Sequence, residues 1–283
     1  MRGGASSGRA RGEPRLSGMS PVERAEPALP RSRALAPELV WRAASASTNT
    51  DLIGRAQGMP DLAVVATDTQ TAGRGRLDRA WLAPGGSALA VSVLVRTDPG
   101  TSPRMLGWLP LLAGAAMAAA VRRLGVTGAG VKWPNDVLVD GRKLSGVLTE
   151  LTPDGVVIGA GLNTAMTREQ LPVPTATSLR LEGAVDDDED AAALLDRALA
   201  TYLEELFARI AVWREASAPE ELRAHVEPLL QTMGKAVRVD RPSLAPLYGT
   251  ARGLDDDGRL LVQPERGETL AVSAGDVTHL RHE

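Results

Sequence analysis

Cysteine is absent from this 283-residue chain. That excludes a disulfide framework, a thiolate metal site and thiol nucleophilic chemistry together. Histidine occurs three times, as His225, His279 and His282. The last two lie at the C-terminal end, where a tail is expected rather than a metal site. Aromatic residues make up only 3%, so the core must come from Leu, Val and Ala. Neither sign of charge is in excess: Lys+Arg total 32 against Asp+Glu 35, a net charge of −3. This excludes the global positive field of a nucleic-acid binder and makes each basic loop a local question. No run of about 18 apolar residues marks a membrane span. The Arg-containing first residues are not followed by the apolar stretch of a secretory signal, so a cytoplasmic location is expected. There is no internal repeat and no Gly-x-x-x-x-Gly-Lys-Ser/Thr element. Gly159-Ala160-Gly161-Leu162-Asn163 breaks the Gly-x-Gly-x-x-Gly pattern at Thr164. P-loop and dinucleotide-fold nucleotide sites are therefore excluded.

What is present falls into three stretches. Residues 1–38 are rich in Arg, Gly, Ser, Pro and Ala without periodicity and read as a disordered tail, within which Met19 is an alternative start. Residues 39–233 alternate strand and helix signals. Ser47-Thr48-Asn49 opens a short helix, Leu62–Thr67 is a β-branched strand, and Ala88–Arg96 is a buried central strand. Residues 103–124 read as one long Ala/Leu helix. Short strands follow at 130–133, 137–139, 144–151 and 156–161, with Asp-Gly turns at 140–141 and 154–155. The acidic run Asp186–Asp190 caps a helix over about 190–216, whose leucines recur at helical spacing, and a short helix covers 219–231. Residues 234–283 carry five short alternating segments, the pattern of a small barrel. The fold class is α+β: a mixed, largely antiparallel sheet with packed helices, plus a small C-terminal SH3-like β-barrel.

Three segments point to chemistry. In Lys132-Trp133-Pro134-Asn135-Asp136 through Arg142-Lys143-Leu144-Ser145-Gly146, two lysines flank a Pro-Asn-Asp turn and an Asp-Gly turn. Such a hairpin suits an anion held at a fixed place. Asn135 offers donors and an acceptor for a base edge. Asp136 suits a metal or the capping of the turn, and Lys143 suits charge stabilisation. Plain turn residues and a solvated strand end are the alternative. In Gly73-Arg74-Gly75-Arg76-Leu77-Asp78-Arg79-Ala80-Trp81, glycines permit close backbone approach and arginines supply forked donors for phosphate or carboxylate. A solvated turn or an RNA-binding Arg/Gly segment are the alternatives. Ser47-Thr48-Asn49 gathers two hydroxyls and an amide, or simply caps a helix.

Taken in order and spacing, Ser47-Thr48-Asn49, Gly73–Arg76 with Arg79 and Trp81, Lys132–Asp136, Arg142–Gly146 and Gly161-Leu162-Asn163 resemble the motifs of biotin–protein ligases, over residues 40–283. The resemblance implies the class II synthetase-like catalytic fold. It also implies a two-step reaction: biotin and ATP, with Mg²⁺, form biotinyl-5′-AMP, and biotin then passes to a lysine of a biotin carboxyl carrier domain. It places Ser47, Thr48, Asn49, Gln70, Arg74, Gly75, Arg76, Trp81 and Lys143 at biotin, and Arg76, Arg79, Lys132, Asn135 and Asn163 at ATP. The catalytic residues would be Lys143, Arg76 and Arg74. A lipoate or octanoate ligase of the same fold is the alternative. The family's loop usually carries a third glycine where Asp78 stands. The 73–81 loop is expected to be mobile without ligand. The 46 residues before Ser47 do not suit a three-helix DNA reader, so no sequence-specific DNA binding is expected. No metal ligands or oligomeric state are assigned.

Overall fold

The computed structural model describes residues 26–76, 79–186, 188–242 and 244–280. Residues 1–25 with Met19, and Asp78 and His282, lie outside the described residues. A seven-stranded sheet forms the body, in the order β1-β2-β5-β9-β8-β7-β6. Its strands are β1 (Leu39–Trp41), β2 (Val64–Thr67), β5 (Ala88–Val95), β6 (Gly130–Lys132), β7 (Asp136–Val139), β8 (Arg142–Thr152) and β9 (Gly155–Asn163). Only β1 and β2 run parallel; the remaining pairs are antiparallel. Between β2 and β5, β3 (Gln70–Arg74) and β4 (Ala80–Ala83) form a separate hairpin. Thus β3 begins before the Gly/Arg segment, which the sequence suggested was all loop.

Every residue of β5 and β9 is buried, and the period of two divides their side chains between two faces. Leu89, Val91, Val93, Val156, Ile158 and Leu162 join the main core. There they meet α4 (Leu109–Arg123) and α5 (Ala191–Glu215). The Asp190 carboxylate accepts the Ala193 N–H at 3.0 Å and caps α5. On the opposite face, Leu94 and Val157 pack under α2 (Thr48–Ile53). The small residues Ala90, Gly159 and Gly161 leave the rest of that face open.

The expected helix over 103–124 is two helices, α3 (Pro103–Leu106) and α4. Trp108 enters the core fully buried between them, and its indole N–H reaches the Asp256 carbonyl at 3.0 Å. A Cβ on Gly107 would meet the Asp257 carbonyl oxygen at 2.8 Å, so only glycine permits that approach. The segment Pro103–Arg123 is long and apolar enough to cross a membrane, yet 67% of its most apolar window is buried inside the protein, as a core element. Unstructured chain up to residue 38 is also corrected. The helix α1 (Pro30–Leu35) packs on α5, with Leu29 and Ser32 buried. Asp196 of α5 accepts the N–H groups of Arg31 and Ser32 at 3.1 and 2.9 Å and the Ser32 hydroxyl at 2.7 Å. After α6 (Pro219–Val226), β10 (Ala236–Asp240), β11 (Leu247–Leu254), β12 (Leu260–Gln263), β13 (Leu270–Val272) and β14 (Asp276–His279) form a five-stranded antiparallel sheet.

Candidate active site

One cavity of about 1200 Å³ opens on the uncovered sheet face and reaches across to β14. Every candidate residue lines it: Ser47, Thr48, Asn49, Gln70, Arg74, Gly75, Arg76, Arg79, Trp81, Lys132, Asn135, Lys143 and Asn163.

Its floor is polar and tightly bonded. Ser47 caps α2 by accepting the Thr50 N–H, at a long 3.5 Å, so the capping and binding readings of this triplet coexist. The turn presents Thr48 and Asn49 toward β5. Gln70 Oε1 accepts the Thr48 N–H at 2.9 Å. Ser92 Oγ lies 2.8 Å from Thr48 Oγ1 and 2.6 Å from Asn49 Oδ1. The amide oxygen carries no proton, so Ser92 donates to Asn49 and accepts from Thr48. Glycine is required beneath this layer. A Cβ on Gly159 would stand 2.1 Å from Asn49 Oδ1, and one on Gly161 would stand 2.3 Å from the Trp81 ring. The Gly-Ala-Gly run is therefore strand interior where side chains press on the backbone. Trp81 lies over Gly161 with its indole N–H buried and, among the described residues, unpartnered.

The cations gather at the far end. Lys143 Nζ is 2.6 Å from Asp136 Oδ1, and Lys132 Nζ is 3.5 Å from Asp136 Oδ2. One carboxylate thus holds both lysines of the hairpin. Strand register explains this: Lys132 pairs with Asp136, and Asp136 pairs with Gly146, beside Lys143. Lys143 Nζ also lies 5.7 Å from the Trp81 ring centre, within cation–π range. Its backbone N–H and C=O bond to Thr175 and Thr177, so the chain after β9 straps the lysine strand in place. Asn163 Nδ2 donates to the Thr177 carbonyl at 2.8 Å and ties that strap to β9. Asn135 donates to the Val147 carbonyl at 2.7 Å and accepts from Arg76 Nη1 at 3.2 Å. Burial pulls Arg76 below the usual guanidinium range, opposed by the charges of Asp136 and Asp276. It remains a cation, as arginine does in proteins.

Two acidic partners that sequence reasoning missed fix the other arginines. Arg79 pairs with Asp276 of β14, across the two sheets. That hydrogen bond and the Asp276 charge raise Arg79 further. Burial pushes Asp276 up, but the Arg79 bond and the charges of Lys132, Arg79 and Arg76 outweigh it and hold the carboxyl below its usual range. Arg74 Nη2 reaches both oxygens of Glu150, at 2.9 and 3.1 Å. Arg74 thus borders the cavity while its guanidinium is engaged by β8, not by the lysine cluster. Arg74 and Arg76 of the 73–76 segment, and Arg79 beyond it, each contact a different part of the fold. The C-terminal sheet adds Lys235, Asp276 and His279 to the cavity wall. None of these carried a motif signal, because their neighbours in space are remote in sequence.

The biotin/lipoate A/B protein ligase family model matches residues 43–163, and the biotin protein ligase C terminal domain model matches residues 232–280. A biotin--[acetyl-CoA-carboxylase] ligase of Mycobacterium tuberculosis is 41% identical over 251 residues, covering 85% of this chain and 90% of the relative. The bifunctional ligase/repressor BirA of Escherichia coli is 34% identical over 226 residues, 77% of this chain and 67% of the relative. Among solved structures, the biotin protein ligase from Aquifex aeolicus in complex with biotin and ATP superposes with a TM-score of 0.67 at 26% identity, covering 86% of this chain and 100% of that one.

Proposed function

The chain belongs to the biotin–protein ligases of the biotin/lipoate A/B protein ligase family, and from that premise we propose how its cavity carries out the reaction. The enzyme activates biotin with ATP to biotinyl-5′-AMP and transfers biotin to a lysine of a biotin carboxyl carrier domain. In the first step a biotin carboxylate oxygen attacks the α-phosphorus, and the bond to the leaving pyrophosphate breaks. In the second, the acceptor amine attacks the acyl carbon and AMP departs.

The observation that carries the residue assignment is the convergence of five sequence-distant motifs on one cavity, polar at the α2 end and cationic at the Lys143 end. Two anions must meet, and that costs energy unless cations stand at the junction. We assign Lys143 to the carboxylate–α-phosphate junction, with Arg76 beside it. Asp136 orients both lysines, and an arriving anion competes with it for the Lys143 ammonium. Asn135, fixed by Val147 and Arg76, faces the base. Thr48, Asn49 and Gln70 hold the biotin end. Arg79, Lys132 and Asn163 line the nucleotide side. Bound with ATP, magnesium would supply charge neutralisation on the phosphates. The cavity carboxylates Asp136 and Asp276 are already paired with Lys143, Lys132 and Arg79, so ATP itself would be the main holder of such an ion. We place the reaction in the cytoplasm and propose no sequence-specific DNA binding, in keeping with a net charge of −3. An operator-selective, salt-dependent gel shift would overturn the latter.

The lipoate or octanoate reading is not favoured, since the similar relatives are named as biotin ligases. ATP–pyrophosphate exchange tests the reading directly. Biotin should support exchange and lipoate should not, and Lys143→Ala should lower the rate roughly 10²–10³-fold, the usual cost of a lost charge-stabilising donor. Exchange at the wild-type rate in that variant would remove Lys143 from the chemistry.

A further inference from the structure

Glu150 of β8 does not line the main cavity, yet it receives hydrogen bonds from two residues that do. Asn49 Nδ2 donates to Glu150 Oε2 at 2.7 Å and to the Leu148 carbonyl at 3.2 Å. Arg74 Nη2 donates to both oxygens of the same carboxylate. The Glu150 side chain is only 23% exposed, against 51% for Arg74. The carboxylate is thus set behind the floor, and the arginine closes over it from the hairpin.

The bonding leaves Asn49 little choice. An ionised carboxylate only accepts, and so does the Leu148 carbonyl, so both face the amide N–H groups. Both donors of Asn49 are then committed. Its oxygen is turned to Ser92 and the cavity, with one lone pair spare. A floor in this state offers an acceptor, not a donor, at Asn49, which suits a ligand N–H. The same carboxylate anchors Arg74, so one side chain connects the β3–β4 hairpin to the floor.

We propose that Glu150 is a positioning residue for the biotin end of the site: it fixes the orientation of the Asn49 amide and holds Arg74 of the hairpin against the floor. The inference rests on the reading of this cavity as the biotin site. Removing the carboxylate orphans one amide N–H and frees Arg74, while Asn135, Lys132 and Asn163 on the nucleotide side are held by other partners and keep their contacts.

Calorimetric titration of the full chain with biotin tests this, alongside the KM for ATP and the thermal midpoint. Glu150→Ala should weaken biotin binding about tenfold or more, the scale of a hydrogen bond to a charged group. The KM for ATP should stay within about twofold, and Glu150→Gln should fall between Ala and wild type. If Glu150 acts through Asn49 and Arg74, adding Glu150→Ala to the Asn49→Ala/Arg74→Ala double variant should cost no further biotin affinity. Unchanged biotin affinity in Glu150→Ala overturns the inference, as does a parallel loss of biotin and ATP binding with a collapsed thermal midpoint. A wild-type chain that binds no biotin overturns the reading of the site, and this inference with it. Wild-type binding with a further loss from Glu150→Ala in the Asn49→Ala/Arg74→Ala background overturns this inference alone.

Discussion

His279 Nε2 lies 3.0 Å from the Thr232 hydroxyl oxygen, which accepts the Trp133 N–H at 2.9 Å. Burial, and then the charges of Lys235 and Lys132, already push the imidazole down to about 4 from an ordinary 6.5. The sign follows from proton counting. Between those values the unfolded chain binds a proton that the folded chain refuses, so stability falls as pH drops from about 6.5 to about 4. Denaturant unfolding at pH 7, 5.5 and 4.5 should show this loss, and His279→Gln should flatten it. An identical pH dependence in the variant would assign the acid sensitivity elsewhere. Asp276 works in the same direction at lower pH. Its depressed carboxyl contributes stability that is lost only below the ordinary carboxylate range, so the two windows separate.

At the scale of elements, strand β9 turns glycine spacing into site shape. Gly159 and Gly161 alternate with Ala160 and Leu162, so one face buries core while the other carries no side chain under Asn49 and Trp81. The strand supplies absence, and the cavity depends on it. Gly159→Ala would push on Asn49, which Ser92, Leu148 and Glu150 hold on three sides. We expect biotin binding to fall at least about tenfold, from misplacement of a bonded polar group, with far-UV circular dichroism unchanged. Gly161→Ala meets a movable ring instead, so the tryptophan fluorescence should change before affinity does. A Gly159→Ala variant with wild-type affinity would show that the floor can relax. The hairpin β3–β4 is the complementary element. Its arginines reach Glu150, Asn135 and Asp276, three separate parts of the fold.

Over the whole molecule, the C-terminal sheet is joined to the body through its β11–β12 turn. The indoles of Trp108 and Trp133 donate to the carbonyls of Asp256 and Gly258 at 3.0 and 3.2 Å. Arg104 pairs with Asp257 at 3.3 Å, and Arg223 reaches both Asp256 and the Leu254 carbonyl. Gly258, at φ 74°, sits against Leu111 and Trp108, where a Cβ would come within 3.0 Å. Buried indoles bonded to backbone are poor candidates for a sliding contact, because separation would leave both partners unsatisfied. Calorimetry should therefore show one cooperative transition for body and C-terminal sheet together. Two resolved transitions would mean that these contacts are too weak to couple them. Since Asp276 and His279 reach the cavity from this sheet, the coupling also fixes one wall of the site.

The sequence by itself determined what is local. Periodicity placed β2, β5 to β14 and the long α5 helix but not β1, β3 or β4, because burial of every second or every third-to-fourth residue is written in neighbouring positions only where an element is long or apolar enough. The motifs identified the chemistry, since Lys143, the arginines and the Ser47–Asn49 triplet each carry their donors wherever they are placed. The Asp136–Lys132–Lys143 cluster was nearly legible, as its members lie within one hairpin, and only the register remained to be supplied. The break at Trp108 and the folding of residues 29–38 were not legible, because tertiary contacts with Asp256 and Asp196 override an otherwise continuous helix signal and a compositionally disordered one. The choice of partner for each arginine was decided by tertiary structure alone. Arg79 and Asp276 lie 197 residues apart, and Arg74 and Glu150 lie 76 apart. A charge states what it seeks, while sheet order and strand register decide which opposite charge comes within reach.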